Sequence, residues 1–230
     1  MNPKNNQRLE QLQPQHYQQI HRHLQLVSMV SGEDIFRPGD RIKQVFFPIT
    51  ALLAIANEMR DGVSLDMALV GSEGAIGLLG LYDAICPYRV HVVHSGLAYR
   101  VSIQDLMPLA QAGTWVHSMY LQVSHQILGQ IAAEATCAHF HGTPLRVARC
   151  LLTRIERTGQ PFVEVTHQNL ADALGVRREA VTHALLKLPG IAHHRHRIEV
   201  HDLAALAAAS CDCRRALDES LTGQLALPFE

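Results

Sequence analysis

Hydrophobic and polar positions along this chain change texture three times. Residues 1–25 are polar, with sparse apolar positions at Leu9, Leu12, Ile20 and Leu24, and predict a polar helix. From about Leu26 the chain becomes a series of short apolar runs, "LVSMVSGEDIFRPGDRIKQVFFPITALLAIANEMRDGVSLDMALVGSEGAIGLLG". Gly32-Glu33-Asp34, Pro38-Gly39-Asp40, Pro48 and Asp61-Gly62 punctuate it. Short strands at this spacing predict a compact antiparallel β structure, a barrel or roll. "RVHVVHSGLAYRVSI" adds two more strands around Ser95-Gly96, and Pro108 marks a break.

No proline interrupts the stretch from Leu109 to about Phe140, and apolar residues recur there at helical spacing. Val116, Tyr120, Val123 and Ile127 alternate steps of four and three, an a/d-like seam that Glu134 continues imperfectly. Such a seam needs a cover, either the chain's own β domain or the same helix of a second copy. The period favours helix pairing, so these four residues are expected at a dimer interface.

Thr143-Pro144 restarts the chain with helix-opening residues. "LRVARCLLTRIE" then reads as an amphipathic helix with Leu145, Ala148, Leu152 and Ile155 on one face, ended by Thr158-Gly159-Gln160-Pro161. "FVEV" is a short strand. Thr166 can cap the next helix, whose apolar face is Leu170, Ala173 and Leu174. Gly175 stands where that helix must stop, in the left-handed conformation glycine tolerates. Ala171 is small enough to let a second helix cross closely. Val176, Val181, Ala184, Leu185 and Leu188 form the buried side of that second helix, leaving Arg177, Arg178, Glu179, Thr182, His183 and Lys187 facing out. This is a helix-turn-helix pattern.

The second helix of such a unit enters the major groove by its N-terminal end. There Arg178 can pair with guanine and Glu179 can accept from the amino group of cytosine. Arg177 and Lys187 are suited to phosphates, which position a protein without reading sequence. "GIAHHRHRIEVHD" reads as two strands around a basic turn, a wing whose His194, Arg195 and Arg197 would touch the phosphate backbone. Histidines in that wing would make binding pH-sensitive. A core hairpin with solvated charges is the plainer alternative, and the basic wing argues against it.

Composition changes this picture only slightly. With 47% hydrophobic residues, 18% charged residues and a net charge of −1, the chain has no global basic field, so any nucleic-acid footprint is local. No apolar run approaches bilayer-spanning length, and the Gln-rich start lacks the apolar core of a signal peptide. The expectation is a cytoplasmic protein without a membrane partner. Five cysteines, odd in number and scattered, argue against a disulfide framework.

From about Leu26 to Cys213 the chain resembles the Crp/Fnr family of bacterial transcription regulators. "GEDIFRPGD", "VFFP", "VGSEGAIGLLGLYD", the long helix and "LADALGVRREAVTHALLKL" carry the resemblance. It implies an α+β fold with an N-terminal antiparallel β-roll of the cyclic-nucleotide-binding kind, a long dimerisation helix and a C-terminal winged helix-turn-helix. The expected boundaries are 1–108, 109–141 and 142–230. It also implies a homodimer on a palindromic double-stranded DNA operator, with RNA polymerase as a further partner. The family's base-contacting Arg-Glu pair falls on Arg178 and Glu179. The next base-contacting arginine of the cyclic-AMP-responsive members falls on His183, so the half-site is expected to differ there.

Cyclic-AMP-binding members carry Gly-Glu in a phosphate cassette, followed by Arg-Ser/Thr. Here Gly77 matches the glycine, Leu78 replaces the glutamate, Arg89 matches the arginine and Val90 replaces the hydroxyl residue. A leucine cannot accept from the ribose hydroxyl, and leaving that group unpaired costs roughly 1–3 kcal/mol. Cyclic AMP binding is therefore expected to be lost. Leu78, Arg89 and Val90 mark the expected effector pocket, with the effector unassigned. Arg89 is left for another anion or for a carboxylate.

The iron–sulfur chemistry of oxygen-sensing members is excluded, because the first cysteine is Cys86. No cofactor and no metal is expected. Neither the histidine groups (His91 and His94, His139 and His141, His193 to His196) nor Cys211 and Cys213 form a recognised zinc spacing with a second pair. A metal- or redox-sensing role of Cys211 and Cys213 remains the alternative. An enzyme of the cupin type would need two histidines and a glutamate in a short motif, and "RVHVVHSG" lacks the glutamate, so no enzymatic activity is expected.

Overall fold

The computed structural model describes residues 1–59, 63–111 and 113–213. The expected Asp61-Gly62 turn and residues 214–230 of the expected third domain lie outside the described residues. The described residues divide into two compact units, the first of Met1–Ile55 with Leu69–Leu128, the second of Ala56–Ala68 with residues 129–213.

The first unit opens with two short helices, α1 (Gln7–Glu10) and α2 (Pro14–His21), where the sequence predicts one polar helix. Pro14 cannot donate a helical hydrogen bond, so α2 starts afresh there. Asn6 caps α1 by accepting from the Arg8 and Leu9 amides. Its Nδ2 donates to the carbonyls of Pro48 and Gly74, both at 2.9 Å. Leu9 and Ile20, apolar positions in a polar segment, are fully buried.

Seven strands come next: β1 (Gln25–Met29), β2 (Asp34–Phe36), β3 (Gln44–Pro48), β4 (Leu52–Glu58), β5 (Ser64–Val70), β6 (Arg89–His94) and β7 (Gly96–Ser102). They form two sheets, ordered β1-β7-β3 and β2-β6-β4-β5. Strand β7 runs antiparallel to both neighbours, which sets Tyr99 opposite Leu26 and Phe47. Strand β2 runs antiparallel to β6. Gly77 holds φ 96° before the 3-10 turn Leu78–Tyr82, and a Cβ there would approach Gln44 O to 2.2 Å. Only glycine fits that turn.

After α3 (Ile103–Leu106), helix α4 runs from Trp115 to Phe140. Its seam of fours and threes is covered by its own chain. Val116 and Val123 are buried with Val45, Phe47 and Leu106, and Tyr120 and Ile127 pack against the same cluster. Val116 and Val123 therefore serve the core of the first unit, and Tyr120 and Ile127 are half-buried at its edge. A second stripe with the same steps lies exposed on α4: Leu121, His125, Leu128, Ala132, Ala135 and His139. Its largest apolar members are Leu121, 41% exposed, and Leu128, 63% exposed.

The second unit contains α5 (Thr143–Thr158), β8 (Phe162–Val163), α6 (His167–Leu174), α7 (Arg178–Leu185), β9 (Ile191–His194), β10 (Arg197–Val200) and α8 (Leu203–Ala208). The antiparallel sheet β8-β10-β9 and the helices share a core that includes Val147, Leu151, Leu170, Val181, Leu185 and Ile198. Gly142 occupies the cap of α5, with Thr143 and Pro144 inside its first turn. Leu145 points outward, whereas Arg146, Arg149 and Arg154 are buried, so α5 is enclosed on more than its apolar side.

Candidate DNA-binding surface

Helix α6 starts where Thr166 accepts from the Asn169 amide at 3.0 Å. It stops at Gly175, whose φ of 61° is the left-handed conformation predicted for this position. The Gly175 amide closes the last turn by donating to Ala171 and Asp172 carbonyls. Arg146 of α5 adds a second closure, its Nη2 donating to Leu174 O at 2.5 Å. A guanidinium at a helix C-terminus meets the negative end of the helix dipole, so it both satisfies the carbonyl and fixes the exit of α6. Reading α5 as simply amphipathic overlooks this contact.

Helix α7 packs on α5 and α6 through Val181, Ala184 and Leu185, with fully buried Ala171 allowing close approach. Arg177 is its N-cap residue, and Arg178 and Glu179 are its first two helical residues. All three are exposed, as are His183 and Lys187. Glu179 also complements the positive N-terminal end of the helix. Lys187 lies beyond the helix, which ends at Leu185. Thr182 is half-buried rather than outward. Its Oγ1 donates to Arg178 O at 3.1 Å and lies 2.9 Å from His167 Nδ1. Burial, His193 and Arg178 together hold the His167 imidazole below its ordinary pKa, which favours the neutral ring.

Beyond α7, strands β9 and β10 pair with His194 opposite Arg197, so Arg195 and His196 form the connecting turn. Arg195 is exposed at that tip. Arg197 is half-buried, its guanidinium stacked 3.6 Å over the Phe162 ring and its Nε 3.0 Å from Glu199. The sheet thus holds Arg197, while Arg195 extends from the tip.

In the first unit, the expected effector residues do not form an open anion site. Leu78 belongs to the hydrophobic core and Val90 is fully buried. Arg89 Nε donates to Asp34 Oδ1 at 2.6 Å, and Arg37 Nε donates to Asp34 Oδ2 at 2.9 Å. Burial pushes the Asp34 carboxyl up, but the two guanidinium groups outweigh it and hold the carboxyl below the usual range.

Residues 145–209 match the family described as the Crp-like helix-turn-helix domain. No curated protein matches the chain. Among solved structures, the chain is similar to one described as a Crp/Fnr-family transcriptional regulator of Eubacterium rectale. The identity is 14%, the TM-score 0.71, and 90% of this chain and 96% of that one are covered. The cyclic-di-GMP-responsive global regulator CLP of Xanthomonas campestris is 19% identical, with TM-score 0.64 over 83% of this chain and 100% of that one. A Crp-family transcriptional regulator of Thermus thermophilus is also 19% identical, with TM-score 0.64 over 80% and 96%. At these identities the likeness establishes the fold. No helix among the described residues is long and apolar enough to cross a membrane.

Proposed function

We propose that this chain, Crp/Fnr-type in fold and Crp-like in its helix-turn-helix domain, is a transcription regulator that binds a palindromic DNA operator as a homodimer. The observation that carries the reading is the exposed Arg177-Arg178-Glu179 edge at the start of α7. Entering the major groove, that edge presents Arg178 to guanine and Glu179 to cytosine. Arg177, Lys187 and Arg195 take phosphates. His183 contributes at the position next read, and Thr182 and Arg197 support the surface from behind. In domain terms, residues 1–108 form the sensor, 109–141 the dimerisation helix and 142–230 the DNA-binding domain.

The homodimer is assigned to the exposed α4 stripe through Leu121 and Leu128, because Val116 and Val123 are already buried. Parallel pairing of such stripes sets two recognition helices on half-sites about one turn of DNA apart. Cyclic AMP is not its effector in this reading. Buried Leu78 offers no acceptor, and Asp34 already occupies Arg89.

Selection of sequences from a random DNA pool by the purified chain tests the proposal. A twofold-symmetric consensus with steeply salt-dependent affinity is expected. Enrichment of no consensus, with affinity equal for all duplexes, would sink it. Cyclic AMP and cyclic di-GMP, each added to a thermal melt, test the sensor separately.

A further inference from the structure

Three cysteines and a histidine converge beside the C-terminal end of α4, a place the DNA-binding reading does not use. Cys137 and His141 stand one helical turn apart, with the His141 amide donating to Cys137 O at 3.0 Å, so both project from one face. Cys211 and Cys213 come from the segment after α8. One ligand atom from each of the four lies within 4.8 Å of all the others. Cys137 Sγ is 3.5 Å from Cys211 Sγ, and Cys213 Sγ is 3.5 Å from His141 Nδ1. Cys137 and Cys211 are buried, whereas His141 and Cys213 are half-buried, so the cluster is reachable from one side.

Tetrahedral zinc holds sulfur at about 2.3 Å and nitrogen at about 2.0–2.1 Å, which separates its ligand atoms by roughly 3.4–3.8 Å. Both 3.5 Å separations already fall in that range. Closing the rest of the set needs shifts on the order of an ångström. A disulfide would use two of the sulfurs and leave the fourfold convergence unexplained. A donor set of three soft sulfurs and one imidazole suits zinc and excludes magnesium and calcium.

We propose that Cys137, His141, Cys211 and Cys213 form a four-coordinate Zn2+ site. Four protein ligands leave no open position, so the site is structural rather than catalytic. It joins residues 137–141 to 211–213 and closes a chain loop that contains every element from α5 to α8. Metal binding there stabilises the folded second unit, because the four ligands are brought together only by folding. The zinc site stands independently of operator recognition.

The test uses the full chain, produced without an affinity tag and kept reduced. Plasma mass spectrometry is expected to find one zinc per chain. After chelation, Co2+ is expected to give thiolate-to-cobalt charge-transfer and tetrahedral d–d absorption, which Zn2+ then erases. Cys213→Ser, at a half-buried position, is expected to weaken Zn2+ binding by more than about 100-fold, beyond the loss typical of outer-sphere changes. Zinc should raise the melting temperature of the wild-type chain but not of Cys213→Ser. Reduced wild-type protein that neither retains zinc nor develops cobalt–thiolate absorption overturns the proposal. So does a Cys137–Cys211 disulfide that forms equally fast with and without zinc. The wild-type cobalt titration decides the matter even if the variant fails to fold.

Discussion

Arg89 Nε donates to Asp34 Oδ1 at 2.6 Å, an ion pair that links β6 to β2. An incoming anion would compete with Asp34 for Arg89, and Asp34 is itself held by Arg37 on its other oxygen. Because the Asp34 carboxyl is depressed in the fold, its contribution is complete above the unfolded carboxylate range, near about 3.9. It is lost as pH falls through the lower folded value. Arg89→Met is expected to destabilise the chain by about 1–2 kcal/mol at pH 7 and by less near pH 3. Denaturant titrations at the two pH values check this, and an equal loss at both would refute the pairing. Cyclic AMP should leave the wild-type melting temperature unchanged.

Arg178→Ala is expected to cost about 1–3 kcal/mol of affinity for the selected operator and to relax preference at one base pair of each half-site. Lys187→Ala should weaken binding evenly across sequences and lower the salt slope by about 1. Fluorescence anisotropy over a salt series distinguishes the two. A uniform loss for Arg178→Ala would reassign it to a phosphate.

Arg146 and Leu174 O form a buried contact whose loss leaves a carbonyl at the end of α6 without its guanidinium. Arg146→Met keeps the aliphatic stem and removes the charge. It is expected to destabilise the second unit by about 1.5–3 kcal/mol, the range for hydrogen bonds to charged groups. Operator affinity should fall further than affinity for random DNA, because the exit of α6 sets the entry of α7. Unchanged stability would show that water serves the carbonyl equally well.

These contacts mark how far the sequence could be read. Gly175, Thr166 and the Arg178-Glu179 edge were legible because caps, stops and outward charges are local features with fixed spacing. The period of the α4 seam was legible too, but a period names a face and not its cover. Val116 and Val123 turn to their own core, and the exposed stripe is diluted by His125 and Ala132, which weakens its signal. Arg146, Arg149 and Arg154 look like a solvated face. Their partners Leu174, Glu134 and Asp66 lie 28, 15 and 88 residues away, and only folding brings them in. Cys137 and His141 carried a readable i, i+4 spacing, which the nearer pair His139 and His141 obscured. Their join to Cys211, 74 residues from Cys137, had no local trace.

His167 is held below its ordinary pKa by burial, His193 and Arg178, and its ring meets Thr182 at 2.9 Å. The unfolded chain therefore takes up a proton near about pH 6.5 that the folded chain resists. Stability from this site is present above that pH and lost as pH falls through it. His167→Gln is expected to flatten the fall in stability between pH 7 and pH 5, read from melting temperatures across that window. A variant that falls as steeply as wild type would place the effect on another histidine.

Leu128, 63% exposed, and Val123, 4% exposed, sit five residues apart on α4 and make opposite predictions. Leu128→Glu places a charge on the exposed stripe of each copy, where the two would face one another across a dimer. Sedimentation is expected to show a monomer whose fold is intact, since an exposed substitution alone changes stability by about 0.5 kcal/mol or less. Operator affinity should collapse toward that of a single half-site. Val123→Glu buries an unpaired charge in the first unit and is expected to unfold it, with a loss of several kcal/mol, on the order of that for a broken buried pair. If Leu128→Glu remains dimeric, the chain pairs through a different face, and the exposed stripe of α4 is not the interface.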